Sequence, residues 1–247
     1  MEGLVWFSYM KIVLLSLILS FPLFLNGDDE PIDYDRLDVR EVNGEQLHFI
    51  IDSKTPFTGS TIVRYENGQK KWIRKFKDGT LEGVTVGWYE NGQKKYMADW
   101  KFGKEDGLET WWHKNGTKRK ESRRRDGKRN GLITQWHKNG EKQIEGNYKD
   151  GKMDELWQAW YENGQKSSEG NYKNGKAVGL WQVWYESGQK NENNFKDGKL
   201  MSTVVWKPNG EKCPVSNLKD GNGVQVGYKK DGTERYRLTY KDGKIVE

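Results

Sequence analysis

Small turn dipeptides cut the chain into short segments in which apolar and polar residues alternate. Asn43-Gly44, Asn67-Gly68, Asn91-Gly92, Asn115-Gly116, Asn139-Gly140, Asn163-Gly164, Ser187-Gly188, Asn209-Gly210 and Asp231-Gly232 recur every 24 residues, then every 22 near the C-terminus. A second turn falls midway through each period, at Asp78-Gly79, Phe102-Gly103, Asp126-Gly127, Asp150-Gly151, Asn174-Gly175, Asp197-Gly198, Asp220-Gly221 and Asp242-Gly243. The segments between turns, about eight to ten residues, suit strands and are too short for helices. Asn-Gly and Asp-Gly supply positive φ at low cost, so each is predicted to close a hairpin.

Within the first strand of each unit, Trp88, Trp112, Trp136, Trp160, Trp184 and Trp206 lie just before the turn, with Arg64 in the first unit and Tyr228 in the last. Val84, Leu108, Leu132, Leu156 and Leu180 lie four residues earlier and share their face by the strand period of two. That face is therefore expected to be apolar and aromatic. The second strand carries Phe76, Trp100, Tyr148, Tyr172, Phe195 and Tyr240 at one position, with Arg124 as the exception, and these rings are expected to fill the gaps between the Trp residues. Gly59, Gly83, Gly107, Gly131, Gly179 and Gly223 recur at the start of the first strand, where Glu155 and Met201 depart from the pattern. Glycine at such a site predicts a bulge or a close backbone approach.

Self-similarity at this period marks a repeat architecture, in which each unit buries its apolar groups against its neighbours. The predicted fold is all-β: an elongated, single antiparallel sheet of consecutive β-hairpins, about eight units of 22 to 24 residues, twisted into a ribbon. Hydrophobic residues make up only 34% of the chain, yet it contains 12 Trp, which agrees with a sheet that has two faces and little interior.

The unit resembles the MORN repeat, and more closely the variant found in bacterial YwqK-family antitoxin-like proteins. The likeness is carried by Trp160-Tyr-Glu-Asn-Gly-Gln-Lys166 and Tyr172-Lys-Asn-Gly-Lys176, with close copies at Trp88 to Lys94, Trp184 to Lys190 and Tyr148 to Lys152. It covers roughly Gly59 to Lys244, most of the chain. The resemblance implies a MORN-type hairpin sheet with no catalytic residues, and it raises an antitoxin role.

Residues 1–27 are of another material. Lys11 precedes an apolar run from Ile12 to Leu25, which exits into Asn26, Gly27 and three acidic residues. This reads as a secretory signal, with Met10 an alternative start, or as an uncleaved N-terminal anchor. Either places the repeats outside the cytoplasm, in the periplasm, cell envelope or extracellular space. Residues 28–38 are expected to form an acidic, solvated linker, 39–58 an atypical cap hairpin, and 59–247 the repeat domain.

Candidate chemistry is sparse. Cys213 is the one cysteine, so no intramolecular disulfide exists. His113 and His137 occupy the position of Tyr65, Tyr89, Tyr161 and Tyr185 in other units. Equivalent strands lie about 10 Å apart, too far to share a zinc ion, so the histidines read as tyrosine substitutes. His48 has no evident partner. No nucleophile elbow, phosphate loop or dinucleotide motif is present, and neither catalysis nor a cofactor is expected.

The remaining pointers are surfaces. Trp88, Trp112, Trp136, Trp160 and Trp184, with Tyr161 and Tyr185, form a candidate binding surface for a protein partner. Lys118, Arg119, Lys120, Arg123, Arg124, Arg125, Lys128 and Arg129 form a candidate anion-binding patch for an anionic membrane or glycan. An exported chain would not have nucleic acid as its partner. The expected function is a non-catalytic interaction scaffold, with an antitoxin or immunity protein and a lipid- or glycan-binding module as alternatives.

Overall fold

The computed structural model describes residues 30–246, so the proposed signal or anchor lies outside the described residues. The chain forms a long, mostly antiparallel sheet of consecutive hairpins, 15 strands in all, that ends at Trp206. Its regular middle comprises Lys94–Lys101, Lys104–Trp112, Lys118–Arg125, Lys128–Trp136, Lys142–Lys149, Lys152–Trp160, Lys166–Lys173 and Lys176–Trp184, each strand paired with the next.

The two turn classes have different geometry. At Asp78-Gly79, Asp126-Gly127, Asp150-Gly151 and Asn174-Gly175 both residues have positive φ, near 50° and 80°, as a two-residue type I′ turn requires. In the cap hairpin Asn43 (φ 52°) and Gly44 (φ 82°) both do as well, whereas at Asn67-Gly68 and its equivalents further along the chain only the glycine does. There Gly68 N–H donates to Tyr65 O, and Tyr65 N–H to Gln69 O, closing a three-residue loop. The asparagine contributes through its side chain, since Asn67 Oδ1 accepts from Gln69 N–H at 3.0 Å.

The predicted bulge is present. Between the pairs Arg129↔Arg124 and Ile133↔Ser122, three residues of one strand oppose one of the other, and Gly131 has φ 94°. Glu155 takes the same role at φ 60°, a conformation costly for a side chain with a Cβ. The drift from 24 to 22 residues also has a structural cause. The pairing across Lys190 and Asn191 loses the register shift found at Trp160/Lys166, and the extra residues near Met201 are reduced.

Alternation sorts the sheet into two unequal faces. Leu132, Leu156 and Leu180 share a face with Trp136, Trp160 and Trp184, and these leucines are 45 to 53% exposed. The opposite face carries the more buried residues, among them Thr85, Ala98, Glu109, Ser122 and Ile133. Tyr148 and Tyr172 point to this second face and interleave with Trp157 and Trp181, not with the expected Trp136 and Trp160. Ring centroids run Tyr148, Trp157, Tyr172, Trp181 at 5.2, 5.9 and 5.1 Å in edge-to-face order. Each indole lies flat over a bare glycine of the preceding strand: a Cβ on Gly146 would sit 2.3 Å from Trp157, and one on Gly170 2.1 Å from Trp181.

Both ends differ from a simple continuation of the ribbon. The expected acidic linker is partly structured: Ile32–Asp33 pairs in parallel with Gly59–Arg64, and Tyr34 lies against His48 and Phe76. The cap hairpin, Leu37–Val42 with Glu45–Ile50, forms its own two-stranded sheet. His48 does have partners here. Its Nδ1 donates to Gly79 O at 3.1 Å, and its Nε2 lies 3.2 Å from the Tyr34 hydroxyl.

At the other end, residues 211–222 do not continue the ladder, because Pro214 has no N–H to pair and the alternating pattern lapses. Gly223–Tyr228, Glu234–Lys241 and Lys244–Ile245 instead form a separate three-stranded sheet. It packs back on the more buried face through Val205, Cys213, Val226 and Tyr228. Gln225 Nε2 reaches Asn193 and Thr203, each at 3.3 Å, and Tyr228 N–H donates to Gln189 Oε1 at 2.6 Å. Cys213 is a buried packing residue beside the Tyr228 hydroxyl, 2.8 Å away.

Two substitutions test this account in urea denaturation. Gly170→Ala, which drives a methyl into the Trp181 ring, is expected to cost about 3 kcal/mol. Glu155→Gly, which relieves a positive φ, is expected to gain about 0.5 to 1 kcal/mol.

Candidate binding surfaces

Trp136, Trp160 and Trp184 share one face of the sheet, and their rings are partly roofed. On the face bearing Trp136 and Trp160, the lysine that opens the preceding strand reaches forward over the indole: Lys118 Nζ lies 5.7 Å from the Trp136 ring and Lys142 Nζ 5.3 Å from Trp160. The same amines pair with carboxylates three residues on, Lys118 with Glu121 at 2.6 Å and Lys142 with Glu145 at 2.7 Å. Lys166 and Glu169 repeat the pair at 2.6 Å. The carboxyl groups of Glu169 and Glu192 are held below the usual carboxylate range, first by the hydrogen bond from the neighbouring lysine. Three rows therefore run along this face: exposed leucines, a polar row of Glu and Gln, and a Trp–Lys row.

The Tyr and His residues after each Trp point along the sheet. Tyr65, Tyr89 and Tyr161 each donate a hydroxyl hydrogen to the main-chain carbonyl of the Trp one unit on, Trp88, Trp112 and Trp184, at 2.7 to 2.8 Å. His113 Nε2 and His137 Nε2 occupy the same role, at 3.0 Å from Trp136 O and 2.9 Å from Trp160 O. Tyr161 is thus engaged in stitching units together. Tyr185 lies near Asn191 instead, and burial raises its pKa.

The basic segment does not gather into one patch. Lys118, Arg119, Arg123, Arg125 and Lys128 are exposed, whereas Lys120, Arg124 and Arg129 turn to the more buried face. There, Glu109 stands at the strand position that Trp157 and Trp181 occupy in later units, and Arg124 stands where they have Tyr. A charged pair replaces an aromatic pair. Glu109 is 2% exposed and accepts from Ser122 Oγ at 2.7 Å, Trp111 Nε1 at 2.6 Å and Lys120 Nζ at 3.0 Å. Arg124 Nε lies 3.5 Å from Glu109 and 2.9 Å from Glu105, and its Nη1 donates to Gly127 O. Glu105 also accepts from the Tyr96 hydroxyl at 2.6 Å.

This network lies between two aromatic runs. Lys120 Nζ lies 5.4 Å from the Trp111 ring, which ends the run Trp72–Tyr96–Trp111, and Arg129, opposite Arg124, lies 5.3 Å from Tyr148, which begins the next. Burial by itself would raise the pKa of Glu109, but hydrogen bonds from Trp111, Ser122 and Lys120, with the Lys120 charge, reverse the sign and hold it at about 2. Burial lowers the pKa of Lys120, and Glu109 offsets part of that effect.

Arg125 and Lys128 belong to a different feature. They face each other across a type I′ turn, and in neighbouring units Lys101↔Lys104 does the same. Lys149↔Lys152, Lys173↔Lys176 and Lys196↔Lys199 continue the series toward the C-terminus. This row of like-charged pairs was not singled out from the sequence, although the recurrent Lys-Asp-Gly-Lys spacing was its available signal.

The MORN repeat variant family model matches three stretches of the chain, residues 81–101, 129–150 and 156–174. Each stretch holds strands of the regular middle of the sheet. No curated protein matches the chain. MORN repeats commonly serve as scaffolds for binding, in keeping with a sheet whose evident features are surfaces. Among the described residues, no group of three or more His, Cys, Asp or Glu is placed to hold a metal ion.

Glu109→Gln is expected to destabilise the fold by about 3 kcal/mol, because it leaves Lys120 and Arg124 without their buried counter-charge. The Glu109 pKa is depressed on folding, so its stabilisation is complete above the unfolded carboxylate range, about pH 4.3, and is lost as pH falls toward about 2. Unfolding measured across that window should show a steeper acid loss in the parent than in Glu109→Gln.

Proposed function

We propose that this protein is an exported, non-catalytic scaffold that binds a protein partner through the face bearing Trp136, Trp160 and Trp184. The observation that carries the reading is the leucine row. Leu132, Leu156 and Leu180 recur one per unit at about half exposure, on the same face as the Trp–Lys row. Their cross-strand neighbours are Asn147, Asn171 and Asn194, so the row alternates apolar and amide side chains. Such a strip offers apolar anchors set among polar groups on a rigid support, which is the composition of a protein-binding surface. Export rests on the apolar segment Ile12 to Leu25 after Lys11. An immunity role against a toxin would use the same face and differ only in the identity of the partner.

The test is affinity capture from the cell envelope, followed by quantitative binding of the recovered partner to the parent and to Leu156→Asp/Leu180→Asp. Because both leucines are exposed, the double variant is expected to unfold within about 1 kcal/mol of the parent. Partner affinity is expected to fall by at least about tenfold. Unchanged affinity in the double variant would remove the leucine face from the interaction.

A further inference from the structure

The row of cation pairs along the type I′ turns is unusual in its energetics. From Lys101/Lys104 through Arg125/Lys128 to Lys196/Lys199, five successive units place two positive side chains directly opposite each other. Like charges so placed destabilise a sheet. All these side chains are exposed, and among the described residues none enters an ion pair. The turn carboxylates Asp126, Asp150 and Asp197 lower the local charge without forming such a pair; Phe102 and Asn174 bring none of their own, and their N–H groups donate to Glu82 and Asp154. At the opposite ends of the same strands the facing residues are Trp and Lys, as in Trp136↔Lys142, so repeated cation pairs are not a general demand of the hairpin.

The row is also continuous. The N–H of each turn glycine donates to a carbonyl of the preceding unit, Gly151 to Arg129 O at 2.8 Å and Gly175 to Met153 O at 2.7 Å. A Cβ built on Gly151 or Gly175 would lie 3.8 or 3.7 Å from the Cβ of Lys128 or Lys152, so each turn rests on the lysine stem of the unit before it. At one end of the row stands Phe102, which replaces the usual Asp or Asn. Its φ is 49° and it is 75% exposed, a strained backbone for an aromatic residue that gains no burial in return. Lys101 Nζ lies 5.5 Å from its ring centroid.

We propose that this turn edge binds an acidic polysaccharide laid along the row, with Phe102 packing against the apolar face of a sugar ring at one end. Three features select this ligand chemistry. Equivalent pairs are two strands apart, about 10 Å, an interval comparable to one disaccharide and far longer than the roughly 3.4 Å of axial rise per phosphate on one strand of a nucleic-acid duplex. Neighbouring strands rotate by about 20°, so eight strand steps turn the row through on the order of half a revolution. A flat bilayer meets only part of such a line, whereas a flexible chain can follow it. The exposed aromatic ring has a use against sugar and none against a carboxylate. This site is separate from the leucine face, so either can fail without the other.

The experiment uses the full chain and measures binding, over a salt series, to polygalacturonate, dextran sulfate, an oligothymidylate, and vesicles of phosphatidylglycerol in phosphatidylcholine. The variants are Lys173→Gln/Lys176→Gln in the row and Lys114→Gln/Lys138→Gln at the opposite turns, which removes the same charge. Expected are salt-sensitive binding to at least one polysaccharide and a loss of about tenfold or more in the row variant. The opposite-edge variant should change affinity by less than about twofold, and the row variant should melt at the parent temperature or higher, since a repulsive pair has gone. Equal losses in both variants, no binding to either polysaccharide, or tighter binding to the oligothymidylate or the vesicles would each overturn the proposal.

Discussion

A sheet with no second layer along most of its length has no interior in which to hide unsatisfied groups, and the arrangement of this protein follows from that constraint. Each unit therefore spends its side chains on the next. Tyrosine or histidine reaches the Trp carbonyl of the following unit, turn glycines donate to the preceding one, and indoles lie over bare glycine backbone. The hydroxyl, imidazole and turn-glycine contacts span about one period and the indole contacts bridge adjacent strands of successive units, so the period is a physical length, the reach from one hairpin to its neighbour. Where residues drop out of the bulges near Lys190 and Met201, the regular series ends within a few strands.

The buried network at Glu109 shows how far the pattern can be altered without breaking it. An aromatic pair and a carboxylate–guanidinium pair fill the same two positions in different units, and each is acceptable only as a pair. A lone Arg124 among rings, or a lone Glu109 beneath them, would be a buried charge without compensation. Their companions Lys120, Ser122 and Trp111 complete the coordination of the carboxylate. The local density of basic residues in this stretch is thus partly internal chemistry and only partly surface charge.

The two ends meet the same constraint in different ways. The aromatic cluster of Tyr34, His48, Phe57 and Phe76 covers one end of the more buried face, and the small sheet carrying Val226 and Tyr228 covers the other. Between the caps that face is filled by its own interleaved rings. The leucine face and the turn edge are left open, which is why both functional readings fall there.

Strands, turns, the repeat period, the bulge glycines and the tyrosine-like place of His113 and His137 were all legible in the chain, because each depends on φ preference, the two-residue period or spacing within a unit. The type of the Asn-Gly turn was not, since Asn67 acts through its side chain there and keeps an ordinary φ. Nor was the identity of the better buried face: a period of two separates Leu156 from Trp157 but cannot say which one has neighbours above it. Only the assembled sheet decided that Lys120 and Arg124 serve Glu109, that residues 32–34 join the fold, and that the last strands turn back over the sheet. It likewise decided that scattered Lys-Asp-Gly-Lys segments form one row. Each of these outcomes depends on which units come side by side, and that is set by pairing and packing between residues far apart in the chain.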